Sequence, residues 1–158
     1  MLAYNSCHNN VSQTEYFTDR GLSQKTIDKF KLGYDPEKNL VTIPYNPDCN
    51  GYVERILWDG NSKYYKHGNE LFNVKALYEK GFMSNSDYVF ITEGQIDAMS
   101  FEEIDLCAVG LGGVNEVSKL VQMLKEKPSN KVLVLALDND KATRYYDIYV
   151  DILYNQRL

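Results

Sequence analysis

Apolar and polar positions along the chain fall into three successive patterns. In the first, Ser12-Gln13-Thr14-Glu15 has the form of a capping box, whose hydroxyl and carboxylate satisfy free amides at a helix start and predict a helix running to about Arg20. Gly21 interrupts it, and Ser23 is placed to cap a second short helix through Ile27 and Phe30 that ends before Gly33, giving a helical hairpin. In the second pattern, LVTIPY from Leu40 and YVERILW from Tyr52 are β-rich runs separated by the turn cluster Asn46-Pro47-Asp48-Cys49-Asn50-Gly51, which predicts an antiparallel hairpin. A further turn at Asp59-Gly60-Asn61-Ser62 leads to Lys63-Tyr64-Tyr65 as a third strand, and a short helix is expected over 74–79. After Ser84-Asn85-Ser86 the pattern changes again. Compact apolar runs at 88–92, 107–109 and 131–137 alternate with helical stretches at 95–103, 117–125 and 142–153. Short buried strands interleaved with helices predict a parallel α/β sheet built from crossovers. The division expected is therefore 1–84, a small α+β part, and 85–158, an α/β part.

Size and composition permit this arrangement. With 158 residues, 44% of them hydrophobic, the chain is long enough to bury roughly two-thirds of its unfolded surface. No apolar run approaches the length of about 20 residues that crosses a bilayer, and MLAYNSCHNN lacks the apolar core of a signal peptide. A cytoplasmic protein with no membrane partner is expected. Cys7, Cys49 and Cys107 are odd in number and have none of the spacings that close a tetrahedral zinc site, so they are read as reduced and structural, with Cys107 buried in an apolar run. A net charge of -5 argues against a nucleic-acid partner only if the charges are evenly spread. They are not: Arg55, Lys63, Lys66, His67, Lys75 and Lys80 cluster in one stretch, whereas acids crowd the stretch from Asp87 to Asp105.

Candidate chemistry lies at the strand ends. Ligands of open parallel sheets gather outside the carboxyl ends of the strands. Glu93-Gly94 follows the predicted strand 88–92, and Asp138-Asn139-Asp140 follows the strand 131–137. Residues two apart in extended backbone point to the same side, so Asp138 and Asp140 at about 4 Å would repel by about 4 kcal/mol at an effective dielectric of about 20. A hard divalent cation offsets that repulsion, and oxygen-only ligation suits magnesium. Gly94 allows close backbone approach, and Asp97 adds a fourth acid within reach. Taken singly, each motif reads better as a solvated turn or a helix-capping acid. Two acidic motifs directly after strands of one predicted sheet favour the metal.

The residues at these positions resemble a known family. Phe90-Ile91-Thr92-Glu93-Gly94-Gln95-Ile96-Asp97-Ala98, the turn Gly110-Leu111-Gly112-Gly113 and Leu135-Ala136-Leu137-Asp138-Asn139-Asp140 look like a Toprim domain, the Rossmann-like fold shared by bacterial-type primases, topoisomerases and certain nucleases. The resemblance implies a catalytic role for Glu93, joined by Asp97, which matches an acidic position of the primase branch. It also implies magnesium, or manganese in its place, on Asp138 and Asp140 with Glu93. The first half selects the branch. Tyr16-Phe17, Arg20-Gly21-Leu22-Ser23, Phe30-Lys31-Leu32-Gly33-Tyr34, Ile43-Pro44-Tyr45, Gly51 with Arg55, Lys63-Tyr64-Tyr65 and Leu71-Phe72-Asn73 resemble, in order, the primase catalytic core of bacteria, phages and mobile elements.

That resemblance implies a DNA primase core: magnesium-dependent nucleotidyl transfer that makes short RNA primers on a single-stranded DNA template from NTPs during replication, with a replicative helicase as partner, in some relatives on the same chain. Arg55, Lys63 and Lys66 would supply cationic donors for phosphates, and Tyr64 or Tyr65 a stacking surface for an unpaired base. A solvated hairpin face explains each of these residues singly about as well, and the resemblance favours the binding role for Arg55 and Lys63. The sequence departs from the family in having Ala142-Thr143 where Ala-Gly is usual, in lacking a zinc-ribbon cysteine pattern, and in reaching Leu158 before a second acidic cluster. A fragment with an incomplete metal site is expected. The alternatives are a Toprim nuclease or topoisomerase, and a noncatalytic nucleic-acid-binding module.

Overall fold

Hairpin chemistry organises the first half of the chain and crossover chemistry the second. The structure, a computed structural model, describes residues 4–48, 51–58, 63–78, 87–113 and 116–138. The chain divides into two units, Met1–Phe72 and Asn73–Leu158.

The first unit begins with α1 (Asn5–Asn9), two 3-10 turns at Val11–Gln13 and Thr18–Arg20, and α2 (Gln24–Lys29). The continuous helix expected from the Ser12 capping box does not form. Ser12 lies inside the first 3-10 turn, and Thr14 is extended, with its Oγ1 accepting the Tyr16 N–H at 3.2 Å. A threonine hydroxyl that bonds its own local backbone competes with the helix, and here it directs the adjacent Tyr16 and Phe17 into the core. The Ser23 cap does form: its Oγ accepts the Thr26 N–H, and Gly21 before it takes the left-handed conformation at φ 80°.

Four antiparallel strands follow, β1 (Gly33–Asp35), β2 (Leu40–Pro44), β3 (Tyr52–Ile56) and β4 (Tyr64–His67), paired in sequence order. The last three answer the predicted hairpin and third strand. β1, at three residues, is too short to carry an alternating pattern of its own. Every residue of β2 is buried. The core of the unit gathers Tyr4, Phe17, Phe30, Leu32, Val41, Ile43, Leu71 and Phe72, with the Phe30 and Phe72 rings 5.0 Å apart.

The second unit opens on Asn73, one of the few non-glycine residues held at positive φ (55°), a conformation asparagine tolerates well. Its side-chain amide donates to Glu102 Oε1 at 3.0 Å and to the Ala108 carbonyl at 2.9 Å. The 3-10 turn Val74–Leu77 follows and packs with β6 (Ala108–Gly110). That packing ties the turn to the second unit, which begins at Asn73. β5 (Tyr88–Thr92) lies between β6 and β7 (Val132–Ala136), with both pairings parallel as predicted. α3 (Gln95–Glu103) connects β5 to β6, and α4 (Val117–Glu126) buries Val117, Leu120, Val121 and Leu124, an i, i+3, i+4, i+7 stripe. Cys107 is buried, as its apolar run implied. Cys49 and the helix expected over 142–153 lie outside the described residues. No helix among the described residues is long and apolar enough to cross a membrane.

Candidate active site

In the second unit, β5 and β7 run side by side in the same direction, with Thr92 opposite Ala136. That register is the reason two carboxylates meet one end of the sheet: Glu93 leaves β5 immediately after Thr92, and Asp138 stands two residues beyond Ala136. Glu93 is half-buried and Asp138 exposed.

The turn carrying Glu93 is fixed on both sides. Thr92, fully buried, donates its hydroxyl to the Gly94 carbonyl at 2.9 Å. The loop after β6 closes over the turn by backbone alone: the Leu111 N–H donates to the Thr92 carbonyl at 3.0 Å, and the Gly112 N–H to the Glu93 carbonyl at 2.8 Å. This approach requires glycine. A Cβ at residue 110 would stand 2.9 Å from the Gly94 carbonyl oxygen and 3.2 Å from the Gln95 Cα, both backbone atoms that cannot swing aside. The structure therefore brings together the first two motifs singled out in the sequence, T-E-G and G-L-G-G, and places the described part of the third, Leu135 to Asp138, at the end of the strand paired with β5.

Asp97 takes a different place from its neighbours. Exposed in the first turn of α3, it accepts the Gly94 N–H on Oδ2 at 3.2 Å. A carboxylate there satisfies an amide at the positive end of the helix. A Cβ at Gly94 would collide with that same oxygen, so the glycine and the aspartate form one device that sets the Glu93 turn.

Asp140 lies outside the described residues, and among those described no group of three or more carboxylate, imidazole or thiol side chains converges to hold a metal ion. The donors that the register does bring to one sheet end, Glu93 and Asp138, are carboxylate oxygens, the chemistry a hard divalent cation takes. On that ground the residues fit magnesium.

In the first unit, the four predicted cationic and aromatic residues lie on or beside one two-stranded ribbon. Arg55 pairs with Tyr64 across β3 and β4, and Val53 with Lys66, so Arg55, Tyr64 and Lys66 share one face. Lys63 sits just ahead of β4, its carbonyl accepting the Ile56 N–H. The opposite face holds Tyr52 and His67, whose rings stack at 4.4 Å while His67 Nε2 meets Glu54 at 3.1 Å.

Two residues the sequence did not single out join Arg55. Its guanidinium lies over the Tyr64 ring at 4.9 Å and over the Tyr16 ring at 5.3 Å. Arg20 covers Tyr16 at 3.6 Å and donates to the Tyr16 carbonyl at 2.9 Å. Burial pushes the Tyr16 hydroxyl above the ordinary tyrosine pKa, against the opposing pull of Arg55 and Arg20. The contact joins residues 39 positions apart, which no local pattern reveals.

Comparison with known proteins places this architecture. Residues 90–157, which lie in the second unit, match the Toprim-like family model. Among solved structures, the DnaG catalytic core is similar over 92% of this chain at 16% identity with a TM-score of 0.68. A chain in the structure of bacteriophage T7 lagging-strand DNA polymerase interacting with primase domains of two gp4 subunits, bound to an RNA/DNA hybrid and dTTP, is similar over 85% of this chain and 71% of its own, at 20% identity and a TM-score of 0.58. The fold is thus the one these solved structures share, with the Toprim-like match lying in the second unit. The chain spans 63% of the length of the DnaG structure. No curated protein matches it by sequence.

Proposed function

We propose that this chain is catalytic-core machinery of a DNA primase, joining ribonucleotides on a single-stranded DNA template with magnesium as cofactor. The observation that carries the reading is the parallel β5–β7 register, which delivers Glu93 and Asp138 to one end of a sheet inside the Toprim-like match. Asp138, Asp140 and Glu93 are the residues that would hold magnesium, and the ion, when bound, would neutralise charge on the reacting phosphates. The half-buried Glu93 serves the reaction directly, while Asp97 positions it through Gly94. Nucleotidyl transfer needs positioning and charge compensation more than acid–base machinery. The second unit carries the carboxylates for charge compensation, and the first carries cations for binding phosphates. Arg55, Lys63 and Lys66 take template or nucleotide phosphates, with Tyr64 beside them. A replicative helicase is the proposed partner, as the resemblance of the sequence to primase cores implies.

The test has two arms. Template-directed primer synthesis from NTPs is expected to fall at least about 100-fold on Glu93→Gln, because the charge that would serve both the metal and the reaction is removed. Independently of activity, manganese at millimolar concentration is expected to broaden the amide signals of residues 93, 94 and 138 selectively. Unchanged signals there would remove the metal from the reading. Persistent DNA binding without primer synthesis would favour a noncatalytic module, and metal-dependent cleavage of DNA a Toprim nuclease.

A further inference from the structure

The first unit contains a cleft of about 500 Å³, within the size range of small-molecule sites, whose lining includes Glu15, Tyr16, Asp19, Arg20, Arg55 and Trp58. We infer that this cleft is a binding pocket for one unpaired nucleobase of a single strand, stacked on Trp58. The inference rests on the reading that the chain handles single-stranded nucleic acid, and adds to it a site that the ribbon of Arg55, Lys63 and Lys66 does not provide.

The first argument is exposure. Trp58, the sole tryptophan of the sequence, is 67% exposed two residues beyond the end of β3. A large aromatic ring left in water beside a cleft is a surface awaiting a flat partner, and every base has a π-face to offer. The second is rigidity. Arg20 is tied to the Tyr16 carbonyl and stacked on its ring, and Arg55 lies against both Tyr16 and Tyr64. Their guanidiniums are held before any ligand arrives, so little side-chain entropy is lost on binding.

The third argument is charge, and it selects the ligand. A phosphate pocket would be cationic throughout. This cleft sets the carboxylates of Glu15 and Asp19 against the guanidiniums of Arg20 and Arg55, so a phosphate gains no net attraction inside it. A nucleobase is neutral, planar, and carries donors and acceptors together on one edge. The Arg20 guanidinium answers its carbonyl and ring-nitrogen acceptors, and the carboxylates of Glu15 and Asp19 its amino and imino donors, while Arg55 stays with the phosphates at the edge of the ribbon. The phosphates of the same strand would stay outside.

Because Trp58 is the sole tryptophan, its emission reports this cleft alone. The intact chain is titrated with a dye-labelled single-stranded oligodeoxynucleotide, with an abasic strand of equal length and with polyphosphate, following Trp58 emission and dye anisotropy together. The base-bearing strand is expected to quench Trp58 saturably, with the same midpoint as its anisotropy change, and the other two probes are expected to leave the emission unchanged. Trp58→Leu is expected to weaken the base-bearing strand about tenfold, within the range measured for base–aromatic stacking, and to leave the abasic strand unaffected. Oligonucleotide binding with unchanged Trp58 emission, or equal quenching by the abasic strand, overturns the pocket and leaves the wider reading standing. Absence of any strand binding overturns both.

Discussion

The first unit builds its sheet from neighbours in sequence, β1 through β4 in order, while the second sets β5 between β6 and β7 and reaches each through a connection across the sheet. Their cores differ to match. Aromatic rings, Tyr4, Phe17, Phe30 and Phe72, share the first with aliphatic side chains such as Leu32, Val41 and Ile43; aliphatic side chains, Val89, Ile91, Val109, Leu111 and Leu120, make up most of the second among the described residues. So do their candidate functional groups. In the first unit these are side chains projecting from a ribbon whose backbone only has to be a ribbon. In the second they are carboxylates on turns after strand ends, and the backbone has to be glycine at an exact place. Antiparallel pairs tolerate one wet face and can spend it on binding; parallel strands are buried on both faces and leave chemistry only at their ends. The first unit should accordingly fail through its core, and the second through its backbone.

The largest expected effect tests the core side. Phe30 is 1% exposed and packs on Phe72, so Phe30→Ala leaves a cavity expected to cost about 3–5 kcal/mol. Native-state amide exchange should show that loss over β1–β4 and a smaller one over β5–β7. Equal losses in both sheets would mean that the units do not unfold separately.

The backbone side is tested by Gly110→Ala. A methyl group meeting two fixed backbone atoms is expected to cost about 1–3 kcal/mol, less than the aromatic cavity although the change is a single carbon. The amides of Leu111 and Gly112, which close on the Thr92 and Glu93 carbonyls, should lose protection first. If they keep it, the glycine is not what admits the loop to the Glu93 turn.

The same contrast explains what the sequence disclosed. Strand–helix alternation in the second unit was legible because buried parallel strands read as continuous apolar runs, and Glu93 and Asp138 were legible because strand ends are where such sheets place ligands. The Ser23 cap was legible for the local reason that a hydroxyl reaches an amide three residues on. Ser12 misled for the opposite reason. Its motif was correct in spelling, but the Thr14 hydroxyl and the burial of both Tyr16 and Phe17 settled the backbone elsewhere. Asp97 was placed in the right neighbourhood, yet that its oxygen serves the Gly94 amide is a matter of geometry at one helix start. The cleft of Tyr16, Arg20, Arg55 and Trp58 was invisible, since it joins the first 3-10 turns to the far end of β3.

The smallest expected difference is one of pH, and it falls on the first unit. Burial raises the pKa of Cys7, assisted by the charge of Asp35, and burial likewise raises those of Tyr16 and Tyr52; in the second unit the same holds for Tyr78. A group whose pKa is higher folded than unfolded keeps its proton longer in the native state. The stability it contributes is complete below the unfolded value and is lost as pH rises through the folded one. The window therefore opens at about pH 8.5 for the thiol and about pH 10 for the phenols. Three such groups against one predict that the urea midpoint of the Ile43 methyl signal falls further than that of Ile91 as pH is raised from about 8 to about 10.5. Cys7→Ser should flatten the early part of that fall and leave the tyrosine part, separating the two contributions. A midpoint for Ile91 that falls as far as that for Ile43 would show alkaline loss to be shared by the whole chain, and would erase the distinction between a unit with three such groups and a unit with one among the described residues.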